Sequence, residues 1–153
     1  MTLLGYNDGN DYADGISYLE LAGFIMQTSP SETTDLEQLW RRIVFSILVS
    51  NTDDHLRNHG FLMTANGWRL SPAYDLNPNE DGNGLKLNIT EHNNELDVTL
   101  ALDVSKYFKL KNEKATKILG EITSIVKGWK TVAKQNGIGN NEIDSMKRAF
   151  RAE

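Results

Sequence analysis

The sequence predicts a mainly α fold carrying one small β-hairpin, an α+β domain, on three observations. From Leu36 to Leu48 the apolar residues Leu36, Leu39, Trp40, Ile43, Val44, Ile47 and Leu48 follow the three-and-four spacing of one helix face. Two short apolar runs between Phe61 and Leu70 flank Asn66-Gly67, a pair that accepts the positive φ angles of a tight hairpin turn. The chain has 153 residues, the size of one domain, and a fold of that length buries roughly 70% of the surface of its unfolded chain. Residues 1–153 are therefore read as a single domain.

Taken in order, residues 5 to 15 hold Gly5, Gly9 and Gly15 among Asn and Asp and read as a loop. From Ile16 to Gln27, Leu19, Ala22, Ile25 and Met26 recur at the helical period, and Ser29-Pro30 stops the helix. Thr34 and Glu37 have the spacing of a capping box, which places the start of the central helix there. Arg41 and Arg42 fall opposite its apolar stripe and are expected in solvent. After the hairpin comes a long polar loop, residues 71 to 84. Leu85, Leu87 and Ile89 then alternate with Lys86 and Asn88 as a short half-buried strand. Asp103 can cap a turn carrying Val104, Tyr107 and Phe108. Asn112 can cap a long helix with Ala115, Ile118, Leu119, Ile122, Val126, Trp129 and Ala133 on one face, ending near Gly137. Asn140 or Asn141 starts a last helix with Ile143, Met146 and Phe150 inward. Trp40, Trp129 and Tyr107 are expected in the core.

Composition narrows the function classes. The chain has no cysteine, which removes disulfides, zinc-thiolate sites and thiol nucleophiles together. No run approaches the roughly 18 apolar residues of a membrane span, and the N-terminus lacks a secretory pattern, so the expectation is a cytoplasmic protein without a membrane partner. The net charge of −5 disfavours direct binding to nucleic acid, and the lysines from Lys106 to Lys134 read as a solvated helix face.

The polar stretch from Asn51 to Asp75 is where chemistry concentrates. Asp53 and Asn58 have the D-x-x-x-x-N spacing of the protein-kinase catalytic loop, in which the aspartate accepts the substrate hydroxyl proton and the asparagine helps hold magnesium. In such enzymes a hairpin and a second, metal-chelating aspartate follow, and here the Asn66-Gly67 hairpin is followed by Asp75. Carboxylate and amide oxygens suit a hard cation such as Mg2+. Three competing readings attach to neighbouring residues. His55 and His59, four apart beside two acids, could form a transition-metal pair if they share a helical turn, although hydrogen bonding within the loop accounts for them better. Asn77, Asn79 and Asp81 resemble the start of a calcium loop, but position twelve is Asn88 and Pro78 intrudes. Arg57 either contacts phosphate or peptide or pairs with Asp54 or Asp75. Asp54 reads as a solvent or capping group.

On these residues the chain resembles a known family. SNTDDHLRNHGFL followed by GWRLSPAYDLNP is similar to the catalytic-loop and metal-loop signature of the HipA family of bacterial serine/threonine kinases. SYLELAGFI, LWRRIVFSILVSN and LDVSKYFKL are similar to its C-lobe. The resemblance implies a protein-kinase-like C-lobe with Asp53 as catalytic base, Asn58 and Asp75 on Mg2+ with ATP, and His55 at a position where the family also has a histidine, in structural support; Arg57, on the reading of the loop alone, is the other candidate for support. It also implies the toxin of a toxin-antitoxin pair, which phosphorylates protein serines and is restrained by a helix-turn-helix antitoxin. DNA would be reached only through that antitoxin.

A complete kinase also needs an N-lobe that covers the phosphates and supplies an ATP-pairing lysine. The 52 largely helical residues before Asp53 do not read as one. Two expectations follow: a C-terminal catalytic lobe completed by an N-lobe from elsewhere, or a catalytically incomplete remnant that serves as a binding module for an antitoxin or a separate N-lobe.

Overall fold

The computed structural model describes residues 2–152. Its elements are α1 (Tyr18–Thr28), α2 (Glu32–Leu48), β1 (Phe61–Thr64), β2 (Gly67–Leu70), α3 (Val98–Asp103), α4 (Asn112–Lys127), α5 (Trp129–Gln135) and α6 (Asn140–Ser145), with short 3-10 turns between them. The result is mainly α with one antiparallel hairpin, as the sequence predicts.

Helix α2 is the axis of the molecule. Leu36, Leu39, Trp40, Ile43, Val44 and Ile47 are all at most 1% exposed, so the predicted stripe is the core. Burying side chains of this size stabilises by roughly 1.5–3 kcal/mol each before ordering costs. Helices α1, α3 and α4 pack around it, and the indole of Trp40 is satisfied by the carbonyl of Ala101 at 2.8 Å. The helix starts at Glu32, two residues before the predicted Thr34, with Ser31 as N-cap. Glu37 closes no capping box and pairs instead with Arg41 and with Lys114 of α4.

The hairpin pairs Phe61 with Leu70 and Thr64 with Gly67, so its turn is Ala65-Asn66 and lies one residue before the predicted pair. Gly67 carries the positive φ, +133°, and a Cβ there would stand 2.3 Å from the carbonyl oxygen of Thr28. Glycine is required because the hairpin tip docks directly on the end of α1. Asp35, buried on α2, fixes the other end. Its carboxylate receives a two-pronged contact from Arg69 at 2.9 Å, the hydroxyl of Ser29 at 2.7 Å and the Leu70 amide at 3.1 Å.

Several expectations are corrected. Residues 85–89 bury Leu85, Leu87 and Ile89 but form no strand: the backbone bends at Lys86, Leu87 and Ile89, and among the described residues it makes a single parallel bridge, Ser17 to Asn88. Irregular segments on both sides, around Tyr12–Tyr18 and Asn93–Asn94, take their backbone groups. Asn88 is buried rather than outward because its amide donates to the Tyr12 carbonyl. The predicted loop 5–15 contains a 3-10 turn, Tyr12–Asp14, capped by Asp11. The long helix after Asn112 is two helices, divided at Gly128. The turn after Asp103 forms with Val104 as its N-cap, and Tyr107 is 45% exposed rather than core. Trp129 is half-buried and stacks on Phe150 with ring centroids 3.9 Å apart. Arg42 is 8% exposed, not solvated.

Candidate functional site

The buried end of α2 delivers the chain to the polar loop through Ser50, a non-glycine residue at φ +51°. Arg151 braces that residue, its Nε on the Ser50 hydroxyl and its amide on the Leu48 carbonyl, both at 2.8 Å. Asn51 turns back onto α2, its amide donating to the Ser46 carbonyl at 2.8 Å. The loop from Thr52 to Asn58 therefore leaves a fixed end.

Within the loop, Asp53 and Asn58 are directly coupled. The Asp53 carbonyl accepts the His55 amide at 2.9 Å and the Asn58 side-chain amide at 3.2 Å. A carbonyl only accepts, so the group of Asn58 facing it is the NH2, and the Asn58 Oδ1 is left as a hard-oxygen acceptor. Asn58 is buried, whereas the Asp53 carboxylate is exposed. Asp53 lines a polar pocket of about 200 Å3 with Asp8, Asp11, His55, Arg57 and Lys86.

Asp54 does the opposite of its neighbour. It is 1% exposed and anchors the loop to the core. Its carboxylate accepts the Tyr18 hydroxyl at 2.7 Å and the Ser46 hydroxyl at 3.3 Å, and His59 Nε2 lies 3.1 Å away. Burial alone would push this carboxyl up, but the adjacent His59 imidazole and the hydrogen bonds from Tyr18 and Ser46 outweigh it and hold Asp54 below the usual carboxylate range. In return, burial and the adjacent Asp54 charge push the Tyr18 phenol well up. The expectation of a solvent or capping role for Asp54 is thus corrected. The adjacent carboxylates divide into one that faces solvent and one that faces the core.

The histidines face different partners: His59 the Asp54 carboxylate, His55 the Arg57 guanidinium at 3.3 Å. Among the described residues, no group of three or more His, Cys, Asp or Glu side chains gathers as a metal cluster. A site built on Asn58 and one carboxylate falls below that threshold and leaves most of a cation's coordination to water or a ligand. Arg57 pairs with Asp8 at 2.8 Å, not with Asp54 or Asp75.

The Asp75 segment is stitched to this loop at both ends. Before Asp75, the Tyr74 hydroxyl donates to the Arg57 carbonyl at 2.5 Å. After it, the Asn79 amide donates to the Ser50 carbonyl at 3.1 Å and the Asn79 side chain to the Thr52 hydroxyl at 2.8 Å. Gly82 lets the loop close down, since a Cβ there would sit 2.1 Å from the Thr52 side chain. Asp75 itself is exposed at φ +57°, a strained conformation for an aspartate, with one carboxylate oxygen held by Asn77 at 2.7 Å. The structure brings the loop of Asp53 and Asn58 and the loop of Asp75 together. The sequence offered Asp54 only a solvent or capping role and gave no role to Tyr18 or Tyr74. The adjacent Asp-Asp pair was the only local signal for any of them, and the tyrosines leave none.

Comparison with known proteins gives the chain's family. A Haemophilus influenzae protein named "Putative kinase" is 35% identical over 68 residues, which is 44% of this chain and 20% of that protein. The match thus spans about a fifth of that relative's length. A family model, the HipA-like C-terminal domain, matches residues 1–129. With that match covering most of its length, and with the paired polar loops behind a buried helix, the chain belongs to the HipA-like C-terminal domain family.

Proposed function

We propose that this chain is the catalytic lobe of an ATP-dependent serine/threonine kinase, with Asp53 as base and Asn58 and Asp75 as magnesium ligands. The observation that carries the reading is the stitching of the Asp75 segment onto the Asp53–Asn58 loop at Arg57, Ser50 and Thr52. In phosphoryl transfer the protein mostly positions groups and stabilises charge, so loops held at both ends are the feature the reaction needs.

The residues suit the cation. Asn58 Oδ1 and the Asp75 carboxylate are hard oxygen donors, and among the described residues no larger carboxylate cluster gathers to displace the cation's water and phosphate ligands. Bound there, Mg2+ would supply the positive charge that offsets the transferring phosphoryl oxygens. Asp53, exposed beside the polar pocket, accepts the proton of the incoming serine hydroxyl. Asp54 keeps the loop seated while Asp53 stays free. Arg57 and His55 line the same pocket and support the loop from its rim. The family resemblance extends the proposal to a cytoplasmic toxin restrained by a helix-turn-helix antitoxin that carries any DNA contact.

The test is phosphotransfer from ATP to a protein serine, measured for this chain with and without a complementary N-lobe. Asp53→Asn should lower the reconstituted rate by at least about 100-fold, the usual contribution of a positioned base. Activity that survives Asp53→Asn would sink the assignment, and tight ATP binding by this chain alone would contradict the need for an N-lobe.

A further inference from the structure

We infer that Arg42 is a positioning residue for the Asp75 segment, one half of a buried polar clasp on α2 whose other half, Ser46 with Asp54, holds the Asp53–Asn58 loop. This rests on the phosphoryl-transfer reading of the site. Arg42 and Ser46 are one turn apart on α2 and so share a face. Ser46 reaches the catalytic loop through Asp54 at 3.3 Å and Asn51 at 3.3 Å. Arg42 reaches the other loop, its Nη2 donating to the Ser71 carbonyl where the chain leaves β2. Ser71 is four residues before Asp75, and its amide is fixed on the Gly60 carbonyl at 2.9 Å.

An arginine 8% exposed beside an apolar stripe is an expensive placement. Nη1 has no hydrogen-bond partner among the described residues, so local polar satisfaction does not account for it. Burial pushes the Arg42 guanidinium down, and the charges of Asp54 and Asp35 oppose that shift. Those two come from the catalytic loop and from α2 itself, and the Ser71 carbonyl that Arg42 holds leads into the metal loop. Arg42 thus sits where the two loops and the helix meet. An arginine serves here because one nitrogen can hold a backbone carbonyl while the charge still faces Asp54.

The test uses the full chain, native-state amide exchange and Mn2+ titration. Arg42→Met should speed exchange at the Ser71 and Asn79 amides by about tenfold while the core amides of α2 and α4 stay as in wild type. It should weaken Mn2+ binding by about tenfold, the lower end for loss of a group that orients a ligand. Arg42→Met combined with Asp75→Ala should bind no more weakly than Asp75→Ala alone, because both act through the same ligand. Arg42→Lys, which keeps the charge and one donor, should recover part of both effects. If Arg42→Met does not fold, Arg42→Gln carries the same readouts, its polar head being too short to reach Ser71. Unchanged Ser71 and Asn79 exchange, or losses that add with Asp75→Ala, would overturn the clasp. Mn2+ binding indifferent to Asp75→Ala would instead overturn the phosphoryl-transfer reading, and the exchange arm would still judge the clasp on its own.

Discussion

Replacing Asp54 with alanine is expected to destabilise the fold by about 3–5 kcal/mol, the range for removing one member of a buried polar cluster and leaving the others behind. The structure supplies the terms. Asp54 is 1% exposed, and its loss strands the Tyr18 and Ser46 hydroxyls and removes the charge facing His59 and Arg42. Each buried donor left without an acceptor costs about 1–3 kcal/mol. For a domain of this size that loss lowers the melting temperature by about 10 °C or more. Urea unfolding at pH 7, followed by tryptophan fluorescence, reads it directly. Asp54→Asn keeps an acceptor and should cost less. The pH dependence checks the cause: the folded carboxyl lies below its ordinary 3.8, so its contribution is complete above that value and is lost as pH falls through the folded one. Wild type should therefore lose stability on acidification below about pH 4 more steeply than Asp54→Asn, whose amide does not titrate. A cost below about 1 kcal/mol for Asp54→Ala would refute the reasoning, because it would place the cluster among surface pairs.

Two further outcomes follow from the hairpin's attachment. Gly67→Ala should cost about 2 kcal/mol or more, since it adds strain at φ +133° to a Cβ 2.3 Å from the Thr28 carbonyl oxygen, and thermal melts would show it. Asp35→Asn should release the hairpin from α2, with Phe61–Leu70 amides exchanging faster than those of α4. Burial would push the Asp35 carboxyl up, but Arg69, Ser29 and the Leu70 amide hold it below 3.8, so this link too fails only as pH falls through that depressed value.

What the sequence made legible follows from how each feature is encoded. The α2 stripe was readable because seven apolar residues repeat at the helical period and tertiary context confirms them. The hairpin was readable from its Gly and flanking runs, while its turn slipped by one residue because Gly67 takes the positive φ after the turn rather than within it. Periodicity hid Arg42, since a charged residue flanking an apolar face reads as solvent and only a distant partner, the Ser71 carbonyl, brings it inside. Asp54 was hidden for the same reason, its partners Tyr18 and Ser46 lying 36 and 8 residues away. The alternation at residues 85–89 revealed burial without revealing pairing, because irregular backbone rather than a strand supplies the hydrogen bonds. The loop of Asp53 and Asn58 and the later Asp75 were legible as a spaced motif, but the contacts of Tyr74 and Asn79 that join the two loops were not.

The most direct measurement of the central claim is Mn2+ titration of the isotopically labelled chain followed by NMR. Paramagnetic broadening is expected to strike the Asn58 side-chain amide and the backbone amides of Asp53 and Asp75 at the same metal concentrations, and to move together to higher metal concentrations at all three in Asp75→Ala. Broadening confined to one of the loops, or unchanged in Asp75→Ala, would contradict a single phosphoryl-transfer centre shared by Asp53, Asn58 and Asp75.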